Sequence, residues 1–404
     1  MEADRQQRTG KTMKQKKIFT LLILVLILAF LAGCGNRNAL DDSEELASNQ
    51  ASAMIGNLKT PVTSANITDY DFTDQATAYL EHIGTSGESS EALREWIIGE
   101  LKSAGYRDEQ ITVEHFNTDW AAVEGDNIIL TVEGDDPSKQ IIAGAHYDGD
   151  GVGDNGSGTA LLLANAVGLQ SVKPHYTVKY IFFDAEEEGC FGSQYNADQM
   201  TEEEINCTIY MINLDALAFG DYCNIYGGAF GEDGMAIAVD QLESPEATEG
   251  YTFAADTAEQ LGFKVMRTAD LDGYYAKHGT GPAIEEDTLY TNPWTPENPA
   301  PANNSAMSPA TIPASDHVEY MDLGIEYIYF EATNWFAESG NDEVEGTSFT
   351  GYIETYDYAL GEHGMFMNTE YDTWENLNEY FPGRAQKHYE LYSPLLSALL
   401  LVHE

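Results

Sequence analysis

The stretch QIIAGAHYDGDGVGDNGSGTALLLANAVGLQ, residues 140–170, decides the fold class. It opens with an almost wholly apolar run, 140–146, which is typical of a strand that is covered on both faces. It closes with an apolar pattern of helical spacing at 158–170. A strand followed by a helix is half of a crossover unit, and crossover units build parallel sheets. The polar turn between the two elements then lies at the carboxyl end of the strand.

The alternation of strand and helix patterns continues along the chain. Short runs rich in β-branched and aromatic residues predict strands at 111–116, 127–132, 140–146, 176–184, 209–215 and 325–331. Apolar residues spaced by three and four predict helices at 73–83, 89–106, 158–170 and 192–200, and also near 253–262 and 380–402. The fold class is therefore α/β, with a central, mostly parallel mixed sheet and helices on both faces.

The composition excludes several classes of protein. With 404 residues, 43% of them apolar and 11% aromatic, the chain can bury a large core, which excludes a disordered chain. The formal net charge of −49 would repel a phosphate backbone, so we expect no nucleic-acid partner. Cys190, Cys207 and Cys223 form no Cys-x-x-Cys pair, so a zinc site made of cysteines is not indicated, although one disulfide is possible.

The beginning of the chain resembles an export signal. Several lysines precede the apolar run 18–33, which ends in small residues, and Cys34 follows directly. The stretch LAGC, 31–34, resembles a bacterial lipobox, whose cysteine is lipidated after cleavage. We therefore expect a signal peptide at 1–33 and a membrane-anchored, exported lipoprotein on the cell surface or the periplasmic side. The alternative is an uncleaved membrane anchor, although about 20 residues are usual for a span.

The remainder divides into a tether and one domain. Residues 34–67 are rich in small and polar residues and are predicted to be a tether that lifts the domain off the membrane. We expect the domain itself to occupy 68–404, with an insertion at about 228–312 that covers one edge of the sheet. The alternative for the proline-rich part of that insertion is a disordered linker between domains.

Acids and a histidine follow three of the predicted strands. His146 and Asp148 end the first, Glu186 and Glu187 follow the second, and Asp215 follows the third. Ligands of an open parallel sheet bind at the carboxyl ends of its strands, so these groups can converge. Crowded carboxylates repel one another unless a cation neutralises them, and zinc accepts both carboxylate and imidazole ligands. The alternative for the acids after the second strand is a solvated run of charges.

Four short motifs occur in a familiar order. HYD at 146–148, DNGSG at 154–158, AEEEGCFGS at 185–193 and NLD at 213–215 each lie at a predicted strand end. Together they resemble the co-catalytic zinc exopeptidases, which include bacterial secreted aminopeptidases, glutamate carboxypeptidase and glutaminyl cyclases. The likeness spans roughly residues 70–402. No HExxH zinc site, GxSxG elbow or P-loop is present in the sequence to suggest another chemistry.

The resemblance assigns a role to each motif residue. It implies that His146 and Asp215 bind one metal ion, that Glu187 binds a second, and that Asp154 bridges the two. It implies that Glu186 is the general base, which takes a proton from the attacking water.

Two further residues acquire roles from the same resemblance. Asp148 would orient His146 by accepting a hydrogen bond from its other ring nitrogen. His317, in the stretch SDH at 315–317, would lie near the substrate, although a structural role is equally expected for it. The family commonly has a cis peptide bond after the bridging aspartate, here between Asp154 and Asn155.

The sequence departs from the family near its end. The family has a His as the last ligand of the second metal, in a pattern like His-Thr-x-x-Asp-Thr, whereas this chain reads NTEYDT at 368–373. Asn368 stands where the His is expected, and an amide oxygen binds zinc only weakly compared with imidazole. We therefore expect one or two zinc ions, with a weakened second site or a harder second ion. His363 could replace the missing ligand if the loop bulges.

These observations predict a zinc metallopeptidase that removes residues from the amino ends of peptides outside the cytoplasm. A carboxypeptidase would need an Arg cluster to bind a carboxylate, and the chain has only 19 basic residues. One alternative is a glutaminyl-cyclase-like transferase with a single zinc. The other is a lapsed enzyme that serves as a peptide- or metal-binding lipoprotein.

Overall fold

The computed structural model describes residues 55–87, 89–118, 121–227, 249–267, 285, 287–291, 315–333, 366–367 and 369–404. The predicted signal peptide, Cys34 and most of the predicted tether lie outside these residues, as do Asn368 and His363. Within the described part of the chain, no helix combines the length and the apolar character needed to cross a bilayer.

The strands form one mixed sheet. Its order is β1-β2-β4-β3-β5-β9-β6-β8-β7, with β3, β4, β5 and β9 parallel at the centre and antiparallel pairs at β1–β2, β2–β4 and β6–β9. The bounds of the nine strands are β1 Ile111–Thr118, β2 Val123–Val132, β3 Asp136–His146, β4 Tyr176–Phe183, β5 Thr208–Leu214, β6 Tyr222–Tyr226, β7 Lys264–Met266, β8 Thr288–Thr291 and β9 Tyr327–Thr333. The α/β class and the predicted central sheet are confirmed.

Helices pack against this sheet. Their bounds are α1 Thr73–Ser86, α2 Ser90–Ala104, α3 Gly156–Gly168, α4 Phe191–Gln199, α5 Glu202–Cys207, α6 Glu249–Leu261, α7 His317–Met321, α8 Trp374–Tyr380 and α9 Arg384–Leu400. Strand β5 is buried along its whole length and β3 from Gln140 to His146, as the unbroken apolar runs predict. Helix α2 ends at Gly105, whose φ of 112° is readily adopted only by glycine. The core therefore lies on both faces of the central strands.

The folded part begins earlier than the predicted boundary at residue 67. Ile55, Leu58 and Val62 are buried in the main hydrophobic core. Lys59 also exchanges two backbone hydrogen bonds with His403, of 2.7 and 2.8 Å. The end of the predicted tether is therefore part of the packed body.

The predicted insertion takes part in the sheet. Helix α6 and the strands β7 and β8 lie inside 228–312, and β8 pairs with β6 in parallel. These strands extend the sheet at its edge, where the sequence predicted only a cover. Their runs are of three and four residues, too short to stand out as strands in the sequence. The remainder of 228–312 lies outside the described residues.

Candidate metal centre

His146 lies at the centre of a group of carboxylates. It is the last residue of β3 and its side chain is fully buried. Its Nε2 atom lies 3.2 Å from Asp154 Oδ1, 3.4 Å from Asp215 Oδ1 and 3.9 Å from Glu186 Oε2. Burial acts to lower the pKa of His146, but the charges of Glu186 and Asp215 raise it well above its ordinary value. The ring is therefore surrounded by negative charge.

The register of the parallel strands brings these groups together. His146 of β3 lies opposite Phe183 of β4, and Gly144 lies opposite Asn213 of β5. Glu186 follows the end of β4 by three residues and Asp215 follows β5 directly. Because the three strands are adjacent and parallel, their carboxyl ends meet at one edge.

The donor set fits a divalent metal ion. Ligand atoms of His146, Glu186 and Asp215 all lie within 4.8 Å of one another. Neither ring nitrogen of His146 has a hydrogen-bond partner, and the same holds for the buried Oδ1 of Asp215. Buried polar atoms are nearly always satisfied in proteins, so such atoms facing one another are expected where a cation binds. The cluster contains Glu186, whereas the resemblance gave Glu187 as the ligand.

Asp215 is held by residues behind it. Its Oδ2 accepts hydrogen bonds from the Ser315 hydroxyl at 2.7 Å and the Tyr329 hydroxyl at 3.4 Å. The Ser315 oxygen in turn accepts a bond of 2.7 Å from the side-chain amide of Asn213. Although burial acts to raise the pKa of Asp215, His146 and the Ser315 bond lower it below its usual value. One oxygen is thus fixed from behind and the other is turned toward the ring of His146.

Asp148 holds the turn that carries the two glutamates. Its Oδ1 and Oδ2 accept hydrogen bonds from the backbone amides of Glu186 and Glu187, both of 3.1 Å. Its Oδ1 also lies 3.4 Å from Nδ1 of His146. The position beside His146 is the one that the resemblance implied. The two hydrogen bonds that Asp148 accepts from the turn after β4 are an additional role that the sequence did not predict.

The two adjacent glutamates have different surroundings. The side chain of Glu186 is only 14% exposed, and burial raises its pKa well above the ordinary value. Its Oε1 accepts a weak bond of 3.4 Å from the thiol of Cys190, one of three free cysteines among the described residues. Glu187 is exposed at the surface, and the protein around its carboxylate together with Asp154 raises its pKa to about 8. Glu186 is thus the more buried of the two, while the carboxylate of Glu187 still feels the charge of Asp154.

Asp154 sits on a loop that is fixed from two directions. The amides of Gly153 and Asp154 donate to the two oxygens of Asp372, at 2.6 and 3.0 Å. The side chain of Asn155 donates to the Leu214 carbonyl at 2.8 Å and accepts from the first turn of α3 at 2.9 Å. The peptide bond between Asp154 and Asn155 is cis, as the resemblance implied. Burial and the charge of Asp215 raise the pKa of Asp154.

The stretch 315–317 lies close to the cluster. His317 is fully buried, with its ring centroid 4.7 Å from that of Tyr329 and 4.6 Å from that of Tyr327. Asp316 is also fully buried, and neither of its oxygens has a well-formed hydrogen bond within the described residues. Burial raises the pKa of Asp316 to about 7, and its charge acts on Glu186.

Sequence reasoning missed three of these residues. It singled out only the histidine of the stretch 315–317. Ser315, however, donates a hydrogen bond to Asp215, and the charge of Asp316 raises the pKa of Glu186. It noted Asp372 only as part of a late motif, without its contact to the loop of Asp154. The signal for the first two was a polar triplet directly before an apolar strand. Asn368, His363 and Cys34, to which the sequence gave roles, lie outside the described residues.

Comparison with known proteins agrees with this geometry. Residues 127–264 match the model of Peptidase family M28. A probable leucine aminopeptidase 2 of Aspergillus oryzae is 34% identical over 120 residues, which cover 27% of this chain and 24% of that protein. Aminopeptidase Y of Saccharomyces cerevisiae is 35% identical over 104 residues, which cover 25% of this chain and 19% of that protein. The chain thus spans about a quarter or less of the length of these relatives.

A solved structure has the same fold. It is a Zn-dependent exopeptidase from Parabacteroides distasonis, 16% identical, with a TM-score of 0.50 over 82% of this chain and 98% of that one. The matched family segment contains the ends of β3, β4 and β5, where His146, Glu186 and Asp215 converge. Residues 127–264 of this chain are therefore similar in sequence to peptidase family M28, and the fold is that of a zinc-dependent exopeptidase.

Proposed function

We propose that this protein is a zinc-dependent aminopeptidase that hydrolyses N-terminal residues from peptides. The observation that carries the proposal is the cluster of His146, Glu186 and Asp215, in which both ring nitrogens of His146 and Oδ1 of Asp215 are buried without hydrogen-bond partners. The match to a peptidase family and the names of the similar proteins support the same reaction class.

His146 and Asp215 would hold the first ion, with Asp154 beside them. A bound zinc ion polarises a scissile carbonyl and lowers the pKa of water, which makes hydrolysis possible near neutral pH. Ser315 and Tyr329 keep the Asp215 carboxylate oriented toward that position. Asp148 keeps the glutamate turn against His146.

Glu186 is proposed to move the proton. Its carboxylate takes a proton from the attacking water as the new bond to the carbonyl carbon forms. It then delivers that proton to the leaving amine nitrogen as the peptide C–N bond breaks. The raised pKa of Glu186 suits this task, because a group that must both accept and release a proton works best when its pKa approaches the working pH.

The charges around the site favour a substrate with a free amine. Each ion pair that a described Lys or Arg forms uses an acid outside the site, such as Asp126, Glu204 or Asp221. Among the described residues, no Lys or Arg forms an ion pair with a carboxylate of the site. A substrate carboxylate would therefore meet other carboxylates there. An ammonium group would instead be attracted, which favours cleavage from the amino end.

We propose that the second ion is bound more weakly than the first. Asp154 and Glu187 offer only oxygen atoms, and Asn368 adds an amide where the family has an imidazole. Imidazole is a strong zinc ligand, whereas oxygen-only sets suit harder ions. The protein is therefore expected to hold one zinc ion tightly and the second position partly or with a harder ion.

The test compares wild-type protein with Glu186→Gln on aminoacyl anilides, after zinc loading of the full chain. The variant is expected to lose about 10²–10⁴-fold in kcat, the usual contribution of a positioned general base, and to retain zinc. Glu203→Gln is the matched control, because it removes the same charge from an exposed position on α5. Wild-type protein that hydrolyses neither free-amine nor N-blocked peptides while binding zinc would contradict the proposal and indicate a binding protein. Cyclisation of an N-terminal Gln instead of hydrolysis would indicate a transferase.

A further inference from the structure

Asp372 makes an unusual pair of contacts with the loop of Asp154. It is 4% exposed, and each of its carboxylate oxygens accepts one of two successive backbone amides, those of Gly153 and Asp154. The two partners lie more than 200 positions earlier in the chain. A pair of adjacent N–H groups facing the same way needs two acceptors at fixed spacing, which a carboxylate supplies.

The loop is packed closely around this carboxylate. A Cβ atom added to Gly151 would lie 2.6 Å from Asp372 Oδ2 and 2.0 Å from the Asp154 carbonyl oxygen. A Cβ added to Gly153 would lie 3.3 Å from Asp372 Oδ1. Glycine at both positions therefore allows the loop to lie directly on Asp372. Any change in the size or position of this carboxylate must move the loop.

Asp372 is itself fixed on the other side. Its backbone amide donates to the Thr369 carbonyl at 3.3 Å, and the Thr369 amide donates to the Phe366 carbonyl at 2.9 Å. Phe366 is fully buried and stacks on Phe219, with ring centroids 4.6 Å apart. Residues 369–372 are thus anchored both to Phe366 and to the loop of Asp154.

The burial of a carboxylate here has a cost that packing alone does not explain. Burial raises the pKa of Asp372 to about 7, because its two amide partners only partly replace the lost hydration. No Lys or Arg pairs with Asp372 in the ion pairs of the described residues. An apolar or amide side chain would fill the space at lower cost, but it could not accept both N–H groups.

We propose that Asp372 is a positioning residue, which sets the place of the Asp154 carboxylate beside His146 through the amides of Gly153 and Asp154. This inference rests on the proposed metal-dependent function, because Asp154 matters as a metal ligand. Asp372 itself does not touch the ion or the substrate. Its effect is to keep the Asp154 carboxylate at a fixed distance from His146 and Asp215, so that all three can serve the same ion.

The experiment measures Zn²⁺ affinity and kinetics for the full chain with Asp372→Asn. Asparagine keeps the shape of the side chain and one acceptor oxygen. Its NH₂ group would replace the second oxygen, so one of the two backbone N–H groups would lose its acceptor. Zn²⁺ affinity, measured by competition with a chelator, is expected to fall about 10–100-fold, as for other residues that orient metal ligands. The value of kcat is expected to fall with little change in KM, because no substrate contact is lost.

Two further variants separate positioning from a general structural role. Glu375→Gln removes the same charge three residues away at an exposed site, and it is expected to leave Zn²⁺ affinity unchanged. Gly151→Ala places a Cβ against both Asp372 Oδ2 and the Asp154 carbonyl, so it disturbs the same contact from the loop and is expected to weaken Zn²⁺ binding even if Asp372→Asn folds poorly. A purely structural role would lower the unfolding temperature equally with and without Zn²⁺ and leave the affinity of the folded protein intact.

The inference is overturned if Asp372→Asn and Gly151→Ala both bind Zn²⁺ within twofold of wild type and keep its kcat. Failure of the proposed function looks different, because wild-type protein would then lack hydrolytic activity. In that case the comparison of Zn²⁺ affinities between wild type and the two variants still decides the role of Asp372.

Discussion

His146 and Asp215 are placed by the hydrogen-bond ladders of adjacent parallel strands, whereas Asp154 is placed by a side chain 218 positions further along the chain. We refer to His146, Glu186 and Asp215 as the strand-end side of the site, and to Asp154 and Asp372 as its loop side. Both sides use the same arrangement, in which an aspartate accepts hydrogen bonds from two successive backbone amides: Asp148 on one side and Asp372 on the other.

The two aspartates differ in their other neighbours. Asp148 has His146 within 3.4 Å, and it lies two residues from the end of the strand that carries His146. Asp372 instead contacts the backbone of the loop 152–154, more than 200 positions earlier in the chain. The strand-end side is therefore expected to tolerate small changes, because the sheet fixes it independently. The loop side depends on a few long-range bonds and is expected to fail when one of them is lost.

The largest expected effect is a loss of folding stability at low pH, caused by His388, which supports the segment that follows Asp215. His388 on α9 is buried, and its Nδ1–H donates to the Leu217 carbonyl at 2.7 Å, two residues after Asp215. Burial lowers the pKa of His388 to about 4. Since the unfolded chain has the ordinary pKa near 6.5, it binds more protons than the folded protein between these values. The stability from His388 is thus present above about pH 6.5 and is lost as the pH falls toward 4.

This loss is expected to reach about 3 kcal/mol near pH 4. His388→Asn keeps an N–H donor but cannot be protonated, so its free energy of unfolding should fall less than that of wild type between pH 7 and pH 4. Denaturant unfolding of the metal-free protein at each pH measures the difference. The control is His115→Asn at an exposed site, which should follow wild type. Parallel curves for wild type and His388→Asn would contradict the prediction.

The second prediction tests how tolerant the strand-end side is. Ser315→Ala removes the 2.7 Å bond to Asp215 and leaves the 3.4 Å bond from Tyr329 in place. Zn²⁺ affinity is expected to fall toward the lower end of the 10–100-fold range that is usual for such supporting residues. Competition with a chelator measures it, and Ser171→Ala, at an exposed position, is the control. A loss larger than that of Asp372→Asn would reverse the comparison between the two sides.

The smallest expected effect is a gain on the loop side. Asn368→His restores an imidazole at the position where the resemblance gives the last ligand of the second metal, so affinity for a second Zn²⁺ should rise about tenfold. The stoichiometry of Zn²⁺ per chain after dialysis measures the gain, and Asn378→His on α8 is the control. Unchanged stoichiometry would mean that position 368 does not face the second ion. The role of position 368 as a ligand would then be rejected.

Much of the fold could be predicted because the patterns were local. The strand 140–146 and the helix 158–170 differ from the observed elements only in their ends, since a continuous apolar run and a spacing of three and four are properties of neighbouring residues. The strands β7 and β8 were missed for the same reason, because three or four residues carry too little pattern. The packing of Ile55 onto the body was also missed, because a short apolar stretch gives no sign of its distant partner.

By itself the sequence determined the α/β class and the convergence of His146, Glu186 and Asp215. These depend on which residues end apolar strands, and parallel strands bring such ends together. Only the tertiary structure decided that Ser315 supports Asp215 and that Asp372 holds the loop of Asp154. Each of those bonds joins segments at least 100 positions apart, and their geometry depends on the packing of the whole chain. No local pattern encodes such a distance, so these contacts could be read only from the folded molecule.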